Sequence, residues 1–281
     1  MIVPMRAIMT PIITMTPIIT LISDFGTIDG FVGQMKGVIL SRAAQKKCDV
    51  QLIDITHEIP AHDIDHGAWV LKHAWQRFPQ GTIHLVVVDP GVGTSRHAIV
   101  VRAGSHLFIA PDNGLLTAPL QREGAEIREI LPRGEISATF HGRDLFAPIA
   151  ADLATGELFE TIGDPTSSVQ LLPRQGPERR GDGWVGQVEH IDHFGNLITN
   201  VTRDDWSGWV DHPRRLGLAV RGLEISWASA YSDCQHEFGF CMSSEQQLEV
   251  FSPSGRASDR LGVAVGDPID LRRKDLLDGI G

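Results

Sequence analysis

The 281-residue chain is poor in cysteine and in positive charge, and it lacks the short motifs that announce several common chemistries. Its three cysteines, Cys48, Cys234 and Cys241, are widely spread and form no CxxC pair. That argues against a disulfide framework or a zinc–thiolate site, and it makes a reducing cytoplasm the simpler setting. Lysine and arginine number 25 against 35 acidic residues, a net charge of 25 − 35 = −10. A surface of that sign does not neutralise phosphates, so non-specific nucleic-acid binding is disfavoured, while a cationic or zwitterionic small substrate is compatible. HExxH is absent, and the glycine loop at 89–96 matches neither GxxxxGK[ST] nor GxGxxG, which leaves a zincin helix and a nucleotide-phosphate site on that loop unsupported. The one long apolar stretch is MIVPMRAIMTPIITMTPIIT at the start, but Pro4, Pro11 and Pro17 would break a membrane helix. No small-residue cleavage site separates it from Leu21. Residues 1–17 are therefore expected to be a disordered extension rather than a signal or a membrane anchor.

What is present is an alternation of β-rich and helical stretches. Ile18–Ile22, Val50–Ile55, Thr82–Val88, Ala98–Val101 and His106–Ile109 have strand character, and TIHLVVV has the continuous apolar run of a strand buried on both faces. Between them, Gly30–Ala44 carries Phe31, Met35, Val38 and Ile39 at helical spacing, and Asp63–Gln76 opens on a candidate N-cap at Asp63. Such alternation predicts an α/β domain with a largely parallel sheet over residues 18–163. Residues 164–183 are rich in Pro, Gly and charge and are expected to form a linker. Beyond them, Trp184–Ile191, Leu216–Val220, Glu224–Trp227, Gln247–Phe251 and Ile269–Leu271 are short alternating runs between turns. They predict a small all-β, barrel-like domain over 184–281.

Polar clusters follow the predicted strands, where open α/β sheets bind ligands. Ser23-Asp24-Phe25-Gly26 leads to Asp29 and Gly30 after the first strand. A carboxylate there suits a ribose diol or an ammonium group; alternatively, Asp29 caps the helix that follows. Asp89-Pro90-Gly91-Val92-Gly93-Thr94-Ser95-Arg96 puts a carboxylate and a guanidinium on one tight loop. For an arbitrary pair, a structural salt bridge is the better reading. His141 in Phe140-His141-Gly142-Arg143-Asp144 is, alone, more often a bystander than a catalyst. Asp192-His193-Phe194-Gly195-Asn196 has groups that bind and stack on a planar ligand, but its spacing favours a hairpin turn. Asp54, His57, His62, Asp63, Asp65 and His66 offer a competing, metal-binding constellation. A metallohydrolase is the alternative they would support.

Taken in order, SDFGTIDGFVGQMKG, DITHEIPAHDIDHGAWVL, VVVDPGVGT followed by Arg96, APDNGLLT, TFHGRDLFAP, DHFGNLITN and LGVAVGD resemble one family. It is that of the S-adenosylmethionine hydroxide adenosyltransferases, relatives of the bacterial fluorinase and chlorinase, and the likeness runs from Ile18 to the C-terminus. The resemblance implies hydrolysis of S-adenosylmethionine to adenosine and methionine without metal or cofactor. It also implies a homotrimer, with active sites between the α/β domain of one subunit and the β domain of the next. Asp89, Arg96 and His141 resemble the water-activating triad, which the halogenases do not keep. Asp24 is similar to the ribose-diol ligand, and Asp29 to a residue near the methionine amino group. Asp192 matches the methionine-binding Asp, Phe194 and Asn196 the adenine contacts, and Ser244 approximates the methionine-carboxylate position. Asn113 lies in a matching substrate-site motif. Two departures stand out: Ser244–Glu249 lacks the usual Gly and aromatic residue, and His62 stands where the fluorinase carries tryptophan.

The chemistry suits these groups. A sulfonium releases a neutral thioether and needs no general acid, so the difficulty is the nucleophile. Unaided water has a pKa of about 15.7, so a carboxylate, an imidazole and a guanidinium holding one water would supply position and charge stabilisation. Rival readings are halogenase-type substitution at C5′ and a binding protein that holds adenosine or S-adenosylmethionine without turnover.

Overall fold

The computed structural model describes residues 16–132, 134–173 and 176–274, so most of the expected 1–17 extension lies outside the described residues. The chain separates into two compact units, divided between Leu172 and Pro173.

The first unit is a three-layer α/β structure. Its strands are β1 (Ile18–Ser23), β2 (Gln51–Thr56), β3 (Ile83–Val87), β4 (Ala98–Ala103), β5 (His106–Pro111), β6 (Glu126–Ile130) and β7 (Gly163–Pro165). They form one sheet in the order β2-β1-β3-β5-β4-β6-β7. The pairs β1–β2, β1–β3 and β3–β5 are parallel, whereas β4–β5, β4–β6 and β6–β7 are antiparallel. The sheet is therefore mixed, with its parallel half where the sequence expected it. Helices are α1 (Phe31–Gln45), α2 (Ile64–Ala74), α3 (Thr117–Leu120) and α4 (Ala147–Ala154).

Alternation along the strands decides which helix covers which face. Ile19, Leu21, Leu85 and Val87 pack with Met35 and Ile39 of α1 and Ile149 and Ala150 of α4. Ile22, Val86, Val88 and Phe108 pack on the opposite face with Leu71 of α2 and Trp75. Burying each large aliphatic or aromatic side chain stabilises by roughly 1.5–3 kcal/mol. Asp63 caps α2 as its position suggested, its carboxylate accepting from the His66 amide at 2.9 Å. Part of the stretch expected to be a linker packs on this unit: the amides of Gln170 and Leu172 donate to Asp112 and Thr117, each at 2.8 Å.

The second unit contains β8 (Glu178–Arg180), β9 (Gly183–Ile191), β10 (Leu197–Thr202), β11 (Leu216–Val220), β12 (Leu223–Trp227), β13 (Gly239–Met242), β14 (Gln247–Phe251) and β15 (Pro268–Arg273). The order is β10-β14-β13-β12-β11-β15-β9-β8, and a further β9–β10 pairing closes seven of these strands into a barrel. Closure removes the free edges that an open sheet of this size would present. Val188, Leu197, Leu218, Phe240, Leu248 and Val250 fill the interior. Two short helices, α5 (Arg203–Ser207) and α6 (Ala257–Leu261), complete the unit. Among the described residues no helix is long and apolar enough to cross a membrane.

Candidate active site

The carboxyl ends of the parallel strands gather the first unit's candidates. In the β1–β3 register Ser23 pairs with Val87, so Asp24 and Asp89 follow neighbouring strand ends. Asp89 is held by Arg96, which returns along the same loop: Nε donates to one carboxylate oxygen at 2.8 Å and Nη2 to the other at closer range. The side chains are only 6% and 10% exposed, so the pair is largely desolvated, where charge–charge interaction is strongest. The guanidinium also lies over the Phe146 ring, 5.3 Å from its centroid.

The structural salt bridge weighed above is thus present, and it has a third member. Arg96 Nη2 lies 2.9 Å from Nδ1 of His141, a residue distant in sequence. Two features bring them together. Gly93 takes φ +76°, and a Cβ there would stand 2.4 Å from the Ala138 carbonyl oxygen, so the Asp89–Arg96 loop closes against the segment leading to His141. His141 then opens a π-helical turn, Gly142–Phe146, that runs into α4. Turns of this kind are frequent at functional sites. Burial, then the charge of Arg96, pushes the His141 pKa below its ordinary 6.5, although Asp89 and Asp144 oppose this.

Asp24 is half-buried and accepts the His62 amide at 2.9 Å on one oxygen. His62 holds φ +68°, a left-handed conformation uncommon for a residue other than glycine. Asp29 is exposed and does not cap α1: the N-cap is Gly30, with no side-chain cap bond. Asn113 spends its amide on the scaffold, donating to the Val88 carbonyl at 2.9 Å and accepting from the Leu115 amide at 3.3 Å. It thereby tethers the residue preceding Asp89. Three of the six residues considered for a metal are engaged within the fold. Asp63 caps α2, and Asp54 and His57 contact one another. Among the described residues no group of three or more His, Cys, Asp or Glu converges as a metal set.

In the second unit, Asp192–Asn196 is the turn that joins β9 to β10. Both Asp192 oxygens are engaged by Asn196, one by its amide at 2.9 Å and one by its side chain at 3.0 Å. Gly195, at φ +84°, would strike Arg256 with any Cβ. Phe194 stands 72% exposed at the tip. Ser244 is not beside them. The β10–β14 register pairs Leu197 with Val250 and Thr202 with Gln247, which sets Ser244 at the other end of that ladder. Sequence reading missed Glu249, a nearly buried carboxyl on the barrel exterior that accepts the Tyr231 hydroxyl at 2.5 Å. Burial and the nearby Asp192 charge raise its pKa. An acidic residue inside an apolar strand, QLEVF, was the available signal.

A mixed α/β unit bearing an Asp–Arg–His cluster at its strand ends, followed by a closed barrel, defines a recognisable two-unit class. Residues 19–163 match the family model described as SAM hydroxide adenosyltransferase N-terminal domain, and residues 186–270 match the corresponding C-terminal domain. The chain belongs to this family. It is 38% identical to a protein named (R)-S-adenosyl-L-methionine hydrolase from Salinispora tropica, over 90% of this chain and 96% of the relative. A protein of the same name from Methanocaldococcus jannaschii is 33% identical over 90% and 95% of the two chains. A fluorinase from Nocardia brasiliensis is 31% identical over 67% of this chain and 72% of its own. The crystal structure of an uncharacterized conserved protein from Thermotoga maritima superposes with a TM-score of 0.82 at 36% identity, covering 91% of this chain and all of that one.

Proposed function

We propose that the protein hydrolyses S-adenosyl-L-methionine to adenosine and methionine, with Asp89, Arg96 and His141 activating the water. The observation that carries this is the desolvated Asp89–Arg96 pair joined to His141 at the strand ends. The names of the similar hydrolases support the same substrate, in the (R) configuration at sulfur. Water oxygen bonds to C5′ in line with the breaking C5′–S bond, whose electron pair returns to sulfur as neutral thioether. One proton is released overall.

The hydrogen bonds suggest how the work divides. Arginine only donates, so Nδ1 of His141 must accept, and neutral His141 carries its hydrogen on Nε2. In that state His141 orients the water, and Asp89, with a lone pair remaining on each oxygen, takes the proton. Arg96 stabilises the developing hydroxide. In this reading Asp24 holds the ribose diol and Asp29 lies near the amino group. The barrel turn with Asp192, Phe194 and Asn196, and Ser244 beyond it, completes the site from a neighbouring subunit of a homotrimer. The enzyme works without metal or cofactor, in the cytoplasm.

Liquid chromatography of an incubation containing (R)-S-adenosyl-L-methionine and EDTA tests the reading. Equal amounts of adenosine and methionine are expected, with no 5′-chloro-5′-deoxyadenosine when chloride is added. The chlorinated product would identify a halogenase, and binding without turnover would identify a sensor.

A further inference from the structure

Beneath Asp24 lies a chain of polar groups that the water-activating cluster does not use. Ser23 ends β1 and is 1% exposed, and His57 follows β2 and is 5% exposed. Ser23 Oγ lies 2.7 Å from His57 Nδ1. On the other side of the ring, Nε2 lies 3.0 Å from Asp54 Oδ1, a close but bent contact that is electrostatic rather than an aligned hydrogen bond. Asp54 in turn takes the Lys36 ammonium of α1 at 2.5 Å. Lys36 first, then His57, outweighs the burial of Asp54 and keeps its pKa below the ordinary carboxylate value.

The direction of every link follows from the charged end. Asp54 is ionised beside Lys36, so the facing Nε2 must carry hydrogen rather than a lone pair. In the neutral ring Nδ1 then accepts, and the Ser23 hydroxyl donates to it. That leaves the Ser23 oxygen free to accept the Phe25 amide, 3.4 Å away. The same imidazole residue receives the Gly26 amide on its backbone carbonyl at 2.8 Å. Thr27 Oγ1 donates to Glu58 at 3.0 Å, and Asp24 itself accepts from His62. The segment after β1 is thus laced residue by residue to the segment after β2, with Asp24 in the middle.

We propose that Ser23, His57, Asp54 and Lys36 form a buried positioning relay that fixes the end of β1 so that Asp24 presents its remaining carboxylate oxygen to the substrate ribose. The proposal rests on the assignment of Asp24 to the ribose diol. A Ser–His–Asp set also invites a nucleophile reading, but the geometry opposes it. The Ser23 hydroxyl is enclosed, and its hydrogen and one lone pair are engaged by His57 and Phe25. Ser23, His57 and Asp54 are positioning residues.

The test uses the full chain with Ser23→Ala, Lys36→Met, Asp24→Asn and the double variant Ser23→Ala/Asp24→Asn, read by steady-state kinetics and by calorimetry with adenosine. Losing one buried hydrogen bond in the relay should raise KM and the adenosine Kd about tenfold in Ser23→Ala, with kcat within about threefold. The double variant should be no worse than Asp24→Asn alone, because both act through one carboxylate. Lys36 is at the surface end, so Lys36→Met should fold and raise KM by about threefold, which keeps the proposal testable if Ser23→Ala does not fold. Unchanged KM in both Ser23→Ala and Lys36→Met, penalties that multiply in the double variant, or loss of kcat with KM intact would each overturn the relay. Wild-type protein that binds adenosine but releases none would sink the hydrolase reading while leaving this test in force. Wild-type protein that binds no adenosine would overturn both.

Discussion

Nη2 of Arg96 donates to Nδ1 of His141 across 2.9 Å, and this one contact sets the proton position on the imidazole. Because the guanidinium cannot accept, a proton added to Nδ1 has nowhere to go without expelling Arg96. The cluster is therefore built around a neutral His141. Its lowered pKa, due first to burial and then to Arg96, keeps the ring neutral to lower pH than a free histidine.

The pH dependence follows with a definite sign. On the proposed mechanism the neutral ring is the working form, and its folded pKa lies below 6.5, so activity should stay level as pH falls through 6.5 and decline only below it. A kcat/KM profile from pH 8 to pH 4.5 at fixed ionic strength checks this. An acid limb centred at or above 6.5 would contradict the neutral, Arg96-paired imidazole.

Arg96→Lys tests the geometry rather than the charge. A lysine ammonium is a point donor that cannot span both Asp89 oxygens and His141 together. Removing a preorganised donor from a developing anion typically costs about 10²–10³ in kcat, and a loss in that range is expected for adenosine release. Adenosine binding by calorimetry should change by less than about threefold, since the proposed mechanism has the cluster act on the water rather than the nucleoside. A variant retaining more than a tenth of wild-type kcat would show that positive charge alone suffices.

Gly93→Ala should separate loop closure from chemistry. Alanine is strained at φ +76°, and its Cβ would meet the Ala138 carbonyl oxygen, so either the loop or residues 138–141 must move. Destabilisation of about 1–3 kcal/mol is expected from this class of change, together with a fall in kcat as Arg96 and His141 part. Urea unfolding and turnover measured on the same preparation would show both effects. Gly91→Ala is a comparison without the positive-φ strain, although its Cβ would press on Arg96 Cγ at 3.2 Å and so on the held guanidinium.

Strand and helix positions were legible because burial writes itself into periodicity. Leu85, Val86 and Val87 had to be apolar on both faces, and Met35 and Ile39 had to share one side of α1. The antiparallel half of the sheet was less visible, since β6 (EIREI) is short, polar and near the edge. In the barrel, β10 and β13 carry buried Thr199 and Asn200 or a single glycine, which blurs their alternation. At the site, residue types could be nominated but not their partners. Arg96 and His141 meet through Gly93 and the π-helical turn, and neither device has a period to detect. Asn113 is nominated by the APDNGLLT motif, and nothing in a linear motif shows that its amide also holds the Val88 carbonyl. The resemblance names Asp192 and Ser244 together as methionine contacts, and a linear motif does not show strand direction. The β10–β14 pairing puts them at opposite ends.

A buried imidazole pair on the opposite side of the sheet core offers a stability prediction independent of catalysis. His84 on β3 is fully buried, with Nδ1 2.7 Å from Thr20 Oγ1 and Nε2 3.2 Å from Nδ1 of His106. Burial, reinforced by the neighbouring His106, lowers its pKa to about 3. In the unfolded chain the same group titrates near 6.5. Between those values the unfolded state binds a proton that the folded state refuses. Stability is therefore unaffected above about pH 6.5 and falls as pH drops toward 3, by up to about 1.4 kcal/mol for each pH unit. Replacing both partners, Thr20→Val with His84→Leu, removes this titration without leaving the Thr20 hydroxyl unpaired. Urea unfolding at pH 6.5 and pH 5 should then show the wild type losing about 1.6 kcal/mol more than the double variant over that interval. His106, also lowered by burial, loses its His84 contact in the double variant, so its own titration is followed by NMR in both proteins and subtracted. Equal losses in the two proteins would mean that His84 takes up its proton in the folded state as readily as in the unfolded one.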